Sequence, residues 1–251
     1  MASLRKAVVI GASSGIGRAL ALKLSREGYA VGLASRRLEL LQSLQLEMSG
    51  PSEIQRMDVR QPEEAGLAFR TLVSRLGGVD LVVLNAGVNP PNPEFQWEKD
   101  REILEINVLG ITALAHEAVK IFLAQGHGHL VGVSSILGQR GVPKCPAYSA
   151  SKAFLSNYLE GLRMRLASRG ILVTDIRPGF VATEMVAGSG VRFWMASCET
   201  AAAQILDAIR RRKKTVYVTQ RWALIARLLR IVPERVMILA SRKLGRKENH
   251  G

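Results

Sequence analysis

The sequence contains few of the residues that build disulfide frameworks and metal sites. Only two of its 251 residues are cysteines, Cys145 and Cys198, and their separation matches no metal-binding spacing. We therefore expect two free thiols in a reducing compartment. His127 and His129 lack further ligands nearby in the sequence, so we predict a loop there and no metal. The first six residues also lack the apolar region and cleavage site of a secretion signal, which favours a cytoplasmic protein.

Acidic residues are scarce only toward the C-terminus. The net charge is +14, and residues 210–251 hold thirteen Lys or Arg against two Glu, so the preceding part is nearly neutral. Apolar residues make up 47% of the chain, which is enough to build the core of one large α/β domain. We therefore predict a nucleotide-binding domain over residues 1–220 and a basic, amphipathic helical tail over residues 221–251.

A glycine-rich turn lies between a predicted strand and a predicted helix near the N-terminus. The apolar run 6–10 predicts a buried strand, and residues 18–27 have helical periodicity. In this context glycines let the backbone approach a dinucleotide pyrophosphate, and the helix N-terminus offers unpaired N–H groups. A turn that serves packing alone is the alternative. The predicted contacts are Gly11, Ser13, Ser14, Gly15, Ile16 and Gly17.

The end of the second predicted strand, residues 30–34, indicates which cofactor is used. An acidic side chain here would bind the ribose 2′-hydroxyl of NAD, but the chain has Ser35 and Arg36. Arginine pairs well with phosphate oxygens, so this pattern favours NADP(H) over NAD(H). The alternative is that Arg36 and Arg37 are simply solvated at the start of the next helix.

Tyr148 and Lys152 are four residues apart and would share one face of a helix. A free phenol has a pKa of about 10, and a nearby cation lowers it, so the pair is a candidate proton-handling unit. Taken alone, a half-buried tyrosine beside a solvated lysine explains the spacing equally well. Two more polar residues lie in apolar surroundings: Ser135 ends the predicted strand 130–135, and Asn107 interrupts the predicted helical stretch 97–125. A buried asparagine needs hydrogen-bond partners.

These motifs resemble, in order and spacing, those of the short-chain dehydrogenase/reductase family. The resemblance covers roughly residues 5–220 and includes the Gly-x3-Gly-x-Gly turn and the Ser135, Tyr148 and Lys152 spacing. Two positions depart from the pattern, since Ile10 replaces a threonine and Leu84 an asparagine. The resemblance implies a single-domain, Rossmann-type, doubly wound parallel sheet of about seven strands with helices on both faces. It also implies a homodimer or homotetramer.

The resemblance further implies residue roles. Tyr148 would exchange the proton, Ser135 would bind the substrate oxygen, and Lys152 would lower the phenol pKa and hold the nicotinamide ribose. Asn107 would hold a water that leads to Lys152. The remaining implied cofactor contacts are Ser35, Arg36, Asp58, Val59, Asn85, Ala86, Gly87, Pro178, Gly179, Val181 and Thr183.

The implied function is NADP(H)-dependent hydride transfer between nicotinamide and a carbonyl or secondary alcohol. The apolar segment 187–195 favours an apolar or lipid-like substrate, although a segment that only packs on the domain would look the same. The alternative function is a nucleotide-bound scaffold or redox sensor without turnover. The intact Ser135, Tyr148 and Lys152 argue against that alternative.

The predicted tail combines an apolar helical face with basic residues. Arg227 and Arg230 lie opposite the apolar face, and no stretch of 18 residues lacks charge, so a spanning helix is not expected. Two interpretations are equally open: an interfacial helix on an anionic membrane, or a helix packed over the substrate mouth or another subunit. Nucleic-acid binding has only charge in its favour. The apolar face consists of Trp222, Leu224, Ile225, Leu228, Leu229, Ile231 and Val232.

Overall fold

The fold is a seven-stranded, wholly parallel sheet with the order β3-β2-β1-β4-β5-β6-β7. A computed structural model describes residues 4–186, 194–219, 221–236 and 238. The order reverses between β1 and β4, which confirms the predicted doubly wound sheet. The strands are β1 (Lys6–Ile10), β2 (Ala30–Ser35), β3 (Ser52–Arg56), β4 (Leu81–Leu84), β5 (Gly128–Val133), β6 (Ile171–Pro178) and β7 (Thr215–Val218).

Helices cover both faces of the sheet. Short 3-10 turns at Ile136–Gln139 and Ala167–Arg169 follow β5 and the longest helix. The α-helices are α1 (Gly15–Arg26), α2 (Leu38–Leu46), α3 (Pro62–Leu76), α4 (Trp97–Leu104), α5 (Ile111–Gln125), α6 (Pro146–Leu166), α7 (Cys198–Arg210) and α8 (Arg221–Ile231).

The hydrophobic core has two layers because the buried strands send alternate side chains to opposite faces. In β1, Ala7 and Val9 pack on the layer beneath α1 and α7. Val8 and Ile10 pack on the layer beneath α3, α5 and α6. A near-continuous apolar run is therefore the expected sequence of such a strand, and this explains why β1 was predictable.

The predicted helical stretch 97–125 contains a π-helical turn at Glu105–Gly110, which separates α4 from α5. The helix passes close to the chain after β3 here, since a Cβ on Gly110 would overlap the carbonyl oxygen of Val59. Among the described residues, only Trp97–Gln125 is long and apolar enough to cross a bilayer, with a mean hydropathy of 1.5. Its side chains Leu114 and Phe122 are fully buried against the sheet, as in the core helix of a domain.

The prediction of a loop around His127 and His129 is wrong for His129. Strand β5 already begins at Gly128, and His129 is buried with its Nε2 2.8 Å from Thr174 Oγ1 on β6. Pairing with β6 extends this strand two residues earlier than its apolar run indicated. Residues 187–193 of the apolar segment and the whole tail beyond Ile238 lie outside the described residues.

Candidate active site

A cleft of about 600 Å³ lies at the carboxyl ends of the strands, at the point where the strand order reverses. Three of the predicted cofactor contacts, Gly15, Gly17 and Asp58, do not line it, and neither does Asn107. Predicted site residues that do line it are Gly11, Ser13, Ser14, Ile16, Ser35, Arg36, Val59, Asn85, Ala86, Gly87, Ser135, Tyr148, Lys152, Pro178, Gly179, Val181 and Thr183.

The glycine turn forms the floor of this cleft. Gly11 has a φ of +86°, and a Cβ there would lie 2.7 Å from the Ala86 nitrogen. Asn85 Nδ2 donates a hydrogen bond to the Gly11 carbonyl oxygen at 2.9 Å. Gly17 packs so closely on Gly11 that a side chain would overlap its carbonyl. The glycine turn and the Asn-Ala-Gly tripeptide therefore pack directly against each other. Gly17 contributes to this packing without lining the cleft.

Two arginines follow β2 at the edge of the cleft. Arg37 donates from its guanidinium to Ser14 Oγ at 2.7 Å and to Ser13 Oγ at 3.1 Å, and it pairs with Glu184 at 3.1 Å. Sequence reasoning named Arg36 alone as a cofactor contact. Arg37 was missed because its partner Glu184 is distant in the chain, and local spacing carries no signal for that contact.

Asp58 lies beside the cleft without lining it. Arg60 Nη2 is 2.5 Å from Asp58 Oδ2, and hydrogen bonds from Arg60 hold the Asp58 pKa below its usual value. The charge of Arg36 acts in the same direction. Asp58 is thus an ionised, partnered carboxylate, and its implied contact with adenine stays a prediction.

Tyr148 and Lys152 both lie on α6, one turn apart and buried. Lys152 Nζ is 5.7 Å from the centroid of the Tyr148 ring. It donates a hydrogen bond to the Val133 carbonyl oxygen at 3.0 Å. The predicted helical pair is therefore present, with the ammonium anchored on the end of β5.

The net shift of the Tyr148 pKa is upward, opposite to the expected direction. Burial raises the pKa of Tyr148 to about 12, although a hydrogen bond with Ser135 opposes the rise. Burial also lowers the pKa of Lys152 to about 8, against the attraction of Asp175. For each group, the cost of burying its charge outweighs the interaction that opposes the shift. Tyr148 is consequently a neutral phenol at neutral pH.

The two serines after β5 have different environments. Ser134 Oγ donates to Asp175 Oδ1 at 2.5 Å and is buried between the strands. Ser135 Oγ accepts the Leu137 N–H at 3.1 Å and hydrogen-bonds with the Tyr148 side chain. Ser135 is therefore the serine that lies with Tyr148, as its spacing in the sequence indicated.

The Asn107 side chain connects two segments of the site by hydrogen bonds. Its Oδ1 accepts the Val88 N–H at 2.9 Å, and its Nδ2 donates to the Val88 carbonyl at 3.0 Å and to Ser151 Oγ at 3.1 Å. A Cβ on Gly87 would lie 3.1 Å from Lys152 Nζ and 3.3 Å from Asn107 Oδ1. The amide therefore links the chain after β4 to α6 beside Lys152. The implied water path from Asn107 stays a prediction.

The tail helix α8 packs beside the cleft. Trp222 is 6% exposed, and a Cβ on Gly179 would overlap its indole. The ring centroids of Phe180 and Trp194 lie 5.3 Å and 6.2 Å from that of Trp222. Sequence reasoning placed Trp222 on the apolar face of the tail but did not connect it with Gly179, a predicted cofactor contact.

These elements define a class of protein. A glycine turn at the reversal point of a parallel sheet is the arrangement by which this fold binds a dinucleotide. A serine that follows β5 and a tyrosine and a lysine on α6 share the same cleft. Within the described parts of the chain, no three His, Cys, Asp or Glu side chains are grouped as metal ligands. The site is that of a nucleotide-dependent oxidoreductase.

Comparison with known proteins identifies the family. A family model described as short chain dehydrogenase matches residues 5–191. An uncharacterized oxidoreductase of Myxococcus xanthus is 44% identical over 190 residues, covering 74% of this chain and 75% of that protein. Another, from Mycobacterium tuberculosis, is 32% identical over 242 residues, covering 92% and 95%. The chain therefore belongs to the short-chain dehydrogenase/reductase family.

Solved structures support the same fold. A short-chain type dehydrogenase/reductase from Mycobacterium marinum superposes with a TM-score of 0.79 at 26% sequence identity, covering 86% of this chain and 92% of that one. As a member of the family, the protein is an oxidoreductase that depends on a nucleotide cofactor, which in this family is typically a nicotinamide.

Proposed function

We propose that the protein catalyses NADP(H)-dependent interconversion of an apolar carbonyl compound and its secondary alcohol. The observation that carries this proposal is the convergence of Ser135, Tyr148 and Lys152 on the cleft that the glycine turn also lines. We take these three residues as the proton-transfer set, beside the surface that would bind the dinucleotide.

The residues present fit a nicotinamide dinucleotide. The backbone of the glycine turn and the N-terminus of α1 suit its pyrophosphate, and Gly11 and Gly87 both line the cleft. The segment Pro178–Thr183 lines the other side of the cleft and would hold the carboxamide. When bound, the cofactor supplies or accepts the hydride.

The side chains handle the proton. In the reduction direction, the Tyr148 hydroxyl donates its proton to the carbonyl oxygen, so the phenol O–H bond breaks as the alcohol O–H bond forms. The high pKa of Tyr148 keeps that proton on the phenol at neutral pH. Ser135 donates a hydrogen bond to the same oxygen and stabilises its developing charge. Lys152 stabilises the phenolate that remains.

A preference for NADP(H) is supported by the residues after β2. Ser35, Arg36 and Arg37 line the cleft together with Ser13, and neither Ser35 nor Arg36 supplies a carboxylate to repel a 2′-phosphate. Arg37 pairs with the acidic Glu184, and this ion pair is largely exposed. Guanidinium groups and hydroxyls are suitable ligands for a phosphate.

An apolar substrate is supported by several side chains that line the cleft. They include Val88, Pro90, Pro91, Met185 and Val186, beside the polar Asn89 and Glu102. The apolar side chains favour alkyl or ring groups on the substrate.

The test is NADPH oxidation against carbonyl compounds graded by chain length, with NADH in parallel. We expect kcat/KM to rise with chain length and to be higher with NADPH. A response that does not depend on chain length would contradict the apolar pocket. Tight NADPH binding without turnover on any carbonyl or alcohol would instead support the nucleotide-bound scaffold.

We also propose a homodimer or homotetramer formed through α5 and α6. Leu123 and Phe154 on these helices are 46% and 41% exposed, and an interface would bury them. Light scattering of the purified full chain tests this directly. A monomeric mass at all concentrations would contradict it.

A further inference from the structure

The outward face of α8 carries leucines where a helix at a solvent-exposed surface usually carries polar residues. Trp222 anchors this helix on the domain and is 6% exposed. On the opposite side, Leu224 and Leu228 are 63% and 49% exposed. They are four residues apart and so form a stripe one turn long. The helix is therefore apolar on both sides, and its docking on the domain uses only one of them.

Further exposed apolar residues lie close to α8 in the chain or beside the cleft. Trp194 contacts Trp222, and the Arg221 guanidinium is 5.8 Å from the centroid of the Trp194 ring. Met185 lines the cleft itself. We call this set the apolar rim: Met185, Trp194, Met195, Leu224, Leu228, Val236 and Ile238, each between 41% and 63% exposed. Grouped exposed apolar residues of this kind mark an interaction surface.

The charge that accompanies the apolar rim is positive. Residues 221–236, which include α8, contain four Arg and one Glu. The other basic run, residues 210–214, precedes β7 and lies at the amino end of that strand, since the Asp175 N–H donates to the Lys214 carbonyl there. The carboxyl end of β7 leads to α8 beside the cleft. The basic residues 210–214 and those of α8 therefore lie at opposite ends of β7.

We propose that α8 and the apolar rim dock the protein on an anionic lipid bilayer, with the mouth of the cleft toward the membrane. A bilayer surface accepts apolar side chains in its interface while its anionic headgroups attract lysine and arginine. No helix has to cross the membrane for this contact. The orientation gives a membrane-dissolved substrate a direct route into the cleft, and that route, unlike the docking, rests on the proposed function.

Co-sedimentation of the full chain with vesicles tests the docking. One set contains phosphatidylcholine alone, and the other contains phosphatidylcholine with phosphatidylglycerol. We expect binding to the mixed vesicles that exceeds binding to the neutral ones at least about tenfold, given two or more basic residues near the surface at about 1 kcal/mol each. Raising salt from about 0.1 M to about 1 M shortens the electrostatic screening length from about 10 Å to about 3 Å. Binding to the mixed vesicles should therefore weaken.

A matched pair of double variants separates the apolar rim from general charge effects. Leu224→Glu with Leu228→Glu places two acids on the rim. Leu46→Glu with Leu67→Glu makes the same change at leucines that are 89% and 61% exposed on α2 and α3, at the other end of the sheet. We expect the first to lose vesicle binding at least about tenfold and the second to retain it. NADPH binding, measured on both, shows that each is folded.

Two outcomes overturn the proposal. One is equal vesicle binding by the two double variants. The other is no binding of the native chain to mixed vesicles; if the first variant then also changes the oligomeric mass, the rim is covered by a second copy of the chain. Vesicle binding is measured without any catalytic turnover. A negative result therefore contradicts the membrane docking and leaves the proposed reaction untouched.

Discussion

The indole of Trp222 lies directly against Gly179, so closely that any side chain at residue 179 would overlap the ring. One residue belongs to α8 and the other to the segment after β6 that lines the cleft. The Gly179 N–H donates to the Val218 carbonyl just before α8. The tail helix therefore supports the wall of the cleft that would hold the nicotinamide carboxamide.

Replacing Trp222 tests that support. Trp222→Ala should lower the free energy of unfolding by about 3 kcal/mol or more, as for other large buried aromatics. It should also weaken NADPH binding, because the wall at Gly179 loses its backing. Trp222→Phe should restore most of both. It keeps an aromatic ring and removes a buried indole N–H that has no hydrogen-bond partner among the described residues. Urea unfolding and a fluorescence titration with NADPH are the measurements. Unchanged cofactor affinity in Trp222→Ala would show that α8 does not position the site.

Tyr148→Phe should reduce kcat at least about a hundredfold, since general acid–base catalysis typically contributes that much. NADPH affinity should change little. Tyr158→Phe is the matched control on the same helix. In the described part of the chain the buried Tyr158 hydroxyl has no hydrogen-bond partner, so its removal should leave turnover intact and stability equal or slightly higher. Steady-state kinetics and NADPH titration distinguish the two. Equal activity of both variants would remove Tyr148 from the mechanism.

Arg36→Ala should weaken NADPH binding about tenfold or more, the range expected for loss of a charge-assisted hydrogen bond to phosphate. NADH binding should be almost unaffected, because NADH lacks the 2′-phosphate. Arg70→Ala is the control, since Arg70 pairs with Glu117 on α5, away from the cleft. Isothermal titration with both cofactors gives the ratio of affinities. An equal loss of affinity for NADH and NADPH would mean that Arg36 does not bind the 2′-phosphate.

The lowered pKa of Lys152 leads us to expect that stability depends on pH. Its pKa is about 8 in the folded protein against 10.5 for the free side chain. Between these values the unfolded chain binds more protons than the folded one, so stability rises with pH. Below pH 8 the buried ammonium lowers the free energy of unfolding by about 3 kcal/mol relative to a neutral group. Tyr148, with its pKa raised to about 12, acts in the opposite direction above pH 10.

Urea unfolding of the native chain and of Lys152→Met between pH 7 and pH 10 checks this dependence. We expect the native chain to gain stability relative to Lys152→Met as pH rises from about 8 to about 10. Lys152→Met keeps the apolar stem and removes the titrating group. A difference between the two that stays constant across this range would mean that the Lys152 pKa is not lowered by burial.

Much of the fold followed from local patterns. The apolar run of β1, the glycine turn and the start of α1 were identifiable because backbone conformation and side-chain periodicity act over a few neighbouring residues. The one-turn spacing of Tyr148 and Lys152 on α6 is of the same kind. The predicted roles of Asn107, Ser135, Tyr148 and Lys152 still await the measurements above.

Contacts between distant residues were not available from such patterns. His129 is in a strand because β6 pairs with it, and the π-helical turn at Glu105–Gly110 lies where the helix passes Val59. The contact of Trp222 with Gly179 is of this long-range kind. The Tyr148 pKa was predicted in the wrong direction because spacing shows the neighbouring charge but not the burial.

The sequence by itself determined a parallel α/β domain, its dinucleotide turn and its candidate proton-transfer residues, because each is written in spacings of a few residues. Only the tertiary structure decided that Arg37 bridges Ser14 and Glu184, that α8 supports the cleft, and that Tyr148 is a buried neutral phenol. These depend on which distant segments the strand order brings together and on how much water that packing excludes.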